Sequence, residues 1–158
     1  MDVYPMDDRP VGHEFEQACE QLDVANTRML DGDWSKWKGL LTSRDDATLL
    51  GAYGAYVKGR EDVAARFERT AAGYAGGGGQ TTSENITRWV GAYLACTVDL
   101  ERHETQLEGK PEMVTFTYRV THVFRREEGG WRVVLRHADP LDTFRGPDFA
   151  HAAVVATR

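Results

Sequence analysis

The chain has 158 residues, of which 41% are hydrophobic and 28% are charged, and this composition is typical of a single folded domain. Its formal net charge is −6 and its basic residues form no cluster, which argues against a nucleic-acid partner because such binding depends on neutralising phosphates. No apolar run approaches the ~20 residues of a membrane-spanning helix, so no membrane partner is expected.

The first ten residues are acidic and lack the apolar segment of a secretory signal, and they are expected to form a flexible N-terminal tail. The two cysteines, Cys19 and Cys96, fall in a predicted helix and a predicted strand. We therefore expect a cytoplasmic protein in which both thiols are free.

Three helices are predicted in the first half of the chain. The first spans about residues 11–30, and its buried stripe recurs at spacings of three and four, with Asn26 as the polar exception. A short second helix carries Trp34 and Trp37 on one aromatic face. A strand or short hairpin over residues 47–56 precedes the third helix, which spans about residues 60–74.

Strands are predicted in the second half. Four glycines at residues 76–79 are not followed by Lys-Ser or Lys-Thr, so they are interpreted as a connector rather than a phosphate-binding loop. Residues 82–104 are strand-like and too long for one flat strand, so a turn is expected near Gly91. Helices followed by long antiparallel strands indicate an α+β domain, with helices packed on one face of a sheet.

Residues 113–140 alternate with a period of two on either side of a turn and predict a β-hairpin. One face of the first strand carries Val114, Phe116, Tyr118, Val120, His122 and Phe124. The matching face of the second strand carries Trp131, Val133, Leu135, His137 and Asp139. The opposite, convex face is expected to carry Thr115, Thr117, Thr121, Val123, Val134 and Ala138.

A loop of two or four residues gives the same hairpin register. In that register His122 lies opposite Leu135, Val120 opposite His137, and Tyr118 opposite Asp139, unless a bulge intervenes. Both histidines, Tyr118 and Asp139 then share one apolar surface.

Asp139 is the leading candidate for acid/base chemistry. Packing against Trp131, Leu135 and Phe116 would remove solvent and raise its pKa, which suits a general base. The alternative is a structural Asp139 that ends the strand beside Pro140. A metal site built from His122, His137 and Asp139 is not expected, because their spacing is not that of compact metal motifs.

Aromatic residues are expected to line an apolar cavity. Those favoured for ligand contact are Trp34, Phe67 and Trp89, together with Phe116, Trp131 and Leu135 of the hairpin. Asp99, Glu101 and His103 also alternate along one face, which is expected to be solvated or at a dimer edge.

Three runs of sequence carry a resemblance to a known family: LLGAYGAYVKGREDVAARF, WVGAYLACTVDLERHE and YRVTHVFRREEGGWRVVLRHADP. They resemble the SnoaL-like and ketosteroid-isomerase-like branch of the nuclear transport factor 2-like superfamily. The resemblance implies one domain over residues 11–145, followed by a C-terminal tail over residues 146–158. It also implies a cone-shaped fold, with three helices packed on a strongly curved antiparallel sheet around a cavity.

The resemblance implies two classes of function. One is a cofactor-independent isomerase, cyclase or dehydratase that moves protons on a hydrophobic carbonyl compound. Asp139 would be its base, His137 and His122 acid or orienting groups, and Tyr118 the oxyanion donor. The alternative is a non-catalytic ligand-binding or assembly module. Either would be a homodimer through the convex sheet face, with no cofactor and a hydrophobic small molecule as the ligand.

Overall fold

The computed structural model describes residues 11–74 and 76–142. The predicted tails at residues 1–10 and 146–158 lie outside the described residues. The described chain contains three helices, α1 (Val11–Leu30), α2 (Ser35–Leu40) and α3 (Arg60–Ala72). Its strands are β1 (Thr48–Leu50), β2 (Tyr56–Lys58), β3 (Gln80–Val90), β4 (Leu94–Gln106), β5 (Met113–Glu127) and β6 (Gly130–Pro140).

The six strands form one open, curved sheet in the order β2-β1-β6-β5-β4-β3. All neighbouring strands are antiparallel except β1 and β6, which run parallel. The expected α+β fold of helices packed on a strongly curved sheet is therefore confirmed, with one parallel pair added. Within the described residues, none of the helices combines the length and apolar character needed to span a membrane.

The core lies between the helices and the concave face of the sheet. Phe15 of α1 packs edge-on against Phe124 and Trp131, with ring centroids 5.1 and 5.2 Å apart. Trp37 of α2 stacks on Phe67 of α3 at 4.6 Å. Burying an aromatic or aliphatic side chain of this size contributes roughly 1.5–3 kcal/mol, so these contacts hold the helices on the sheet.

The hairpin of β5 and β6 begins in the predicted register. Glu127 pairs with Gly130 across a two-residue loop, and Phe124 pairs with Val133. A β-bulge follows on β6, because Val134 is inserted between the pairs Phe124–Val133 and Val123–Leu135. Beyond the bulge every pair is shifted by one residue.

This shift makes the predicted pairing of the far half of the hairpin wrong. His122 lies opposite Arg136 rather than Leu135, and Val120 lies opposite Ala138 rather than His137. Because residues directly opposite each other share a face, Arg136 and Ala138 turn to the concave side. The convex position predicted for Ala138 is also wrong, since this residue lies opposite Val120 and is buried.

Candidate functional site

A cavity of about 80 Å³ lies between the helices and the concave face of the sheet. Its apolar lining comes from the helices and from strands β1 and β6, through Met29, Leu30, Trp37, Leu49, Phe67 and Ala138. Its polar lining comes from Asn26, Tyr53, Arg66, Thr70, Tyr74, His103, Tyr118 and Arg136.

A buried ion pair holds the sheet side of this cavity. Arg136 of β6 donates two hydrogen bonds to Glu101 of β4, from Nη1 to Oε1 at 2.9 Å and from Nη2 to Oε2 at 2.6 Å. Asn26 of α1 donates to the same carboxylate at 2.9 Å and accepts a 3.1 Å hydrogen bond from the indole of Trp37. The polar exception in the apolar stripe of α1 therefore links two helices to this ion pair.

The ion pair determines the protonation of its members. Burial alone would raise the pKa of Glu101, but the charge of Arg136, together with the polar contacts that His103 and Arg136 make with the carboxylate, holds it well below its usual value. Burial would lower the pKa of Arg136, and the Glu101 carboxylate raises it instead. Glu101 is therefore an ionised carboxylate with its oxygens occupied, which makes it a poor general base.

His122 lies behind the ion pair and is fully buried. Arg136 Nη1 donates to His122 Nε2 at 2.8 Å, so Nε2 accepts and Nδ1 carries the proton. His122 Nδ1 is 3.9 Å from Asp99 Oδ2, which is too long for a direct hydrogen bond. Burial is the main cause that lowers the pKa of His122, and this ring is neutral at pH 7.

His103 is the imidazole that lines the cavity. Its Nδ1 lies 2.9 Å from the hydroxyl of Thr81, and its Nε2 lies 3.4 Å from Glu101 Oε2. The ring packs against Phe116 and Tyr118, with centroids 5.1 and 5.4 Å away. These contacts fix the ring, while Nε2 makes no hydrogen bond of regular geometry within the described residues.

Three tyrosines converge on the cavity from β5, from the loop after β1 and from the end of α3. Tyr53 and Tyr118 are in edge-to-face contact, with centroids 6.1 Å apart. Burial, followed by the interaction with Tyr53, raises the pKa of both Tyr74 and Tyr118. Their hydroxyls are therefore protonated near neutral pH and can donate hydrogen bonds.

The cavity adjoins an outer groove of about 540 Å³ that shares Tyr53, Arg66, Thr70 and Tyr74 with it and adds Arg69. Among the described residues that line the cavity and the groove, none is a carboxylate. Arg66 and Arg69, with no carboxylate beside them in the described lining, give this opening a positive potential.

Two of the ten predicted site residues, Tyr118 and Phe67, line the cavity. His122 lies in the layer behind them. His137 and Asp139 lie on the convex face, because they pair with Thr121 and Arg119 beyond the bulge. Asp139 accepts a 2.6 Å hydrogen bond from Arg119 at the surface, and its side chain is 43% exposed. The predicted cluster of two histidines, Tyr118 and Asp139 on one surface is therefore wrong.

The other predicted contact residues lie outside the cavity lining. Trp34 is partly buried at the edge of the core, and Phe116 packs against the His103 ring at an angle of 32°. Trp131 is buried against Phe15 in the main core. Trp89 is exposed, and Leu135 is half-buried beyond the bulge on the face away from the helices.

The sequence prediction missed the residues that form the polar side of the cavity. The sequence predicts that Glu101 and His103 lie on a face that is solvated or at a dimer edge, yet they are 1% and 5% exposed within the chain. In a regular strand without the bulge, Arg136 would lie on the convex face. Asn26 could have indicated these buried polar residues, because a polar residue in the apolar stripe of a helix needs a buried hydrogen-bond partner.

No group of His, Cys, Asp and Glu in the described part of the chain is arranged to hold a metal ion. The tyrosines and arginines of the cavity lining offer hydrogen-bond donors in an apolar setting.

Solved structures share this fold at low sequence identity. A candidate calcium/calmodulin-dependent protein kinase type II association domain from Thiobacillus denitrificans is 22% identical, with a TM-score of 0.66 over 90% of this chain and 100% of that one. A candidate dehydratase of the NTF2-like family from Streptomyces avermitilis is 20% identical, with a TM-score of 0.66 over 81% and 99%. A ketosteroid isomerase-like protein from Erwinia carotovora is 13% identical, with a TM-score of 0.68 over 87% and 100%.

At such identities the structural likeness shows the fold alone. A search of curated protein sequences finds no match. The family model for the SnoaL-like domain matches residues 21–141, which is most of the chain. With the NTF2-like architecture of its structural neighbours, this match shows that the chain belongs to the SnoaL-like domain family.

Proposed function

We propose that this protein binds a small, mostly apolar compound that carries a carbonyl or carboxylate oxygen. The observation that carries the proposal is the set of hydrogen-bond donors on an apolar cavity whose described lining holds no carboxylate. Tyr53, Tyr74 and Tyr118 would donate to the ligand oxygen. Arg66 and Arg69 at the opening would attract an acidic ligand.

The cavity limits the size of the buried part of the ligand. An apolar cavity of about 150 Å³ binds benzene, and the present one is about 80 Å³. A short aliphatic group therefore fits inside, and any larger part of the ligand would extend into the outer groove past Arg66.

The test is calorimetric titration with isovalerate and with cyclopentanone, which present a carboxylate and a carbonyl on small apolar skeletons. Tyr118→Phe removes one donor and should weaken binding of isovalerate roughly tenfold or more. Tyr56→Phe is the matched control, because Tyr56 is 70% exposed and lies outside the cavity lining. This control variant should bind like the unmodified protein.

Two outcomes would count against the proposal. The first is failure of both probes to bind saturably. The second is equal loss of affinity in Tyr118→Phe and Tyr56→Phe, which would indicate a surface effect unrelated to the cavity.

A second function, proton transfer on the bound carbonyl compound, is favoured by His103. This imidazole lines the cavity, and the contact of its Nε2 with Glu101 Oε2, at 3.4 Å, is too long for a regular hydrogen bond. Structural neighbours named as a candidate dehydratase and as ketosteroid isomerase-like support this chemistry. His103 would be the general base, the role that the sequence predicts for Asp139, and Tyr118 would polarise the carbonyl.

Deuterium exchange at the carbons next to the carbonyl of cyclopentanone tests the catalytic step. A proton-transferring protein accelerates incorporation of solvent deuterium, followed by NMR, and His103→Gln abolishes the acceleration. Binding without acceleration would leave the ligand-binding function and reject catalysis.

The convex face supports a homodimer. Half-buried or exposed apolar side chains occupy its centre on three strands: Leu94, Cys96, Val98, Leu100, Val123 and Leu135. A twofold contact between two copies of this face would cover them, as the sequence led us to expect.

A further inference from the structure

A second cleft, of about 200 Å³, lies between α1 and strands β3 and β4. Glu101 lines this cleft but is not among the residues that line the main cavity. The described residues that line the cleft include five carboxylates and one cation, Arg88. The carboxylates belong to Glu16, Glu20, Asp23, Asp99 and Glu101. The cleft is therefore strongly acidic, in contrast to the main cavity.

Ion pairs account for only two of these carboxylates. Glu16 pairs with Arg88 at 2.5 Å, and Glu101 pairs with Arg136 at 2.6 Å. Asp23 and Asp99 instead accept hydrogen bonds from the neutral donors Ser83 and Asn85, at 2.6 and 2.7 Å. Within the described residues, neither Asp23 nor Asp99 has a cation within ion-pair distance that is charged at neutral pH.

A buried hydroxyl in the cleft makes no hydrogen bond of regular geometry within the described structure. It belongs to Thr97, which lines the cleft and is 3% exposed. A looser interaction with the hydroxyl of Thr97 contributes to lowering the pKa of Asp99, and it leaves the Thr97 oxygen able to accept a hydrogen bond. Thr97 sits on β4 two residues before Asp99, on the same face of the strand. A buried hydroxyl without a regular hydrogen bond costs free energy, which points to an external donor at this position.

We propose that this cleft binds the ammonium group of a small organic amine, with Asp99, Asp23 and the Thr97 hydroxyl as acceptors. An ammonium group offers three N–H donors and one positive charge, which matches three acceptors and unbalanced carboxylates. A metal ion fits less well, because the described residues contain no cluster arranged for metal coordination. Partial loss of solvent in the cleft, and then the charges of Glu101 and Asp99, raise the pKa of Asp23 against the lowering effect of its hydrogen bond from Ser83, and a bound cation would relieve the repulsion between these carboxylates.

The test is NMR titration of the whole chain with n-butylammonium chloride. Asp99→Asn keeps the shape of the side chain and removes its charge, and it should weaken binding at least tenfold. Asp23→Asn, at the exposed rim, should also weaken binding. Glu84→Gln is the matched control, because Glu84 pairs with Leu100 on the opposite face of the sheet and its loss should leave affinity unchanged.

Tetramethylammonium carries the same charge without N–H groups and should bind at least tenfold more weakly than n-butylammonium. The proposal is overturned if n-butylammonium shows no saturable binding, or if the control variant loses as much affinity as the two aspartate variants. Equal binding of the two cations would overturn it as well. If Asp99→Asn fails to fold, Asp23→Asn decides the matter, because Asp23 is exposed.

Discussion

Arg136 and Glu101 form a doubly hydrogen-bonded ion pair although their strands are not neighbours. They sit on β6 and β4, on either side of β5, and their side chains meet above His122 on the concave face. The Arg136 and Glu101 side chains are 11% and 1% exposed. The pair therefore holds three strands together at a position that lines the main cavity on one side and the acidic cleft on the other.

Removing one charge of this pair should be strongly destabilising. Glu101→Gln leaves Arg136 buried without its counter-charge, and we expect the free energy of unfolding to fall by about 3–5 kcal/mol. Urea denaturation at neutral pH measures this loss. The control Glu84→Gln removes an exposed carboxylate of β3 and should change stability by less than about 0.5 kcal/mol.

The double variant Glu101→Leu with Arg136→Met removes both charges while keeping side chains of similar size, so it distinguishes the effect of the charges from that of packing. Replacing both members of a buried pair with apolar residues is often neutral or stabilising, so this variant should be more stable than Glu101→Gln alone. A Glu101→Gln protein within about 1 kcal/mol of the unmodified protein would show that the pair is not desolvated as the structure indicates.

Substitution of Asp139 should have little effect on stability or on ligand binding. Its ion pair with Arg119 has side chains that are 43% and 60% exposed, and pairs of this kind contribute about 0–1 kcal/mol. Asp139→Asn should therefore change stability by no more than this and leave isovalerate binding unaltered. A loss of ligand binding, followed by calorimetry, would restore the role that the sequence pattern assigned to this carboxylate.

Much of the fold could be predicted because its signals are local. The stripe of α1 and the glycines after α3 identified the elements of the first half. The turn at Glu128 and Gly129 fixed the register of the hairpin as far as Phe124. Each of these features depends on residue spacing or on turn residues within a few positions, so the local sequence is enough to predict it.

The site could not be predicted because it depends on one bulge and on one long-range pair. Val133 and Val134 suit a regular strand as well as a bulged one, so nothing local marks the inserted residue. Without the bulge, Arg136 falls on the wrong face. Without Arg136 on the concave face, the sequence offers no partner for Glu101 and predicts a solvated carboxylate. In the folded chain Glu101 and Arg136 form an ion pair.

Stability should fall as the solution becomes mildly acidic, because His122 is buried and neutral. Burial first, and then the charge of Arg136, lower its pKa below 6.5, against the opposing effects of Asp99 and Glu101. Below pH 6.5 the His122 side chain is therefore protonated in the unfolded chain but stays neutral in the folded chain. The free energy of unfolding should drop by up to about 1.4 kcal/mol for each pH unit until the folded pKa is reached.

Urea denaturation at about pH 7.5 and about pH 5.5 measures this loss, and His122→Gln should reduce the difference between the two values. His13→Gln is the control, because His13 is exposed on α1, away from the convex face, and its loss should leave the difference unchanged. The explanation fails if His13→Gln removes the pH dependence and His122→Gln does not.

The convex face provides the last prediction, which concerns self-association. Val98 lies near the centre of this face, with its neighbour Thr121 on β5, and Val98→Glu would place a charge in the middle of the proposed twofold contact. A desolvated, unpaired charge there should convert the dimer to a monomer, measured by sedimentation at micromolar concentration. Val24→Glu makes the same change at a half-exposed valine of α1 and should remain dimeric. If the unmodified protein sediments only as a monomer, the convex face is not a dimer interface.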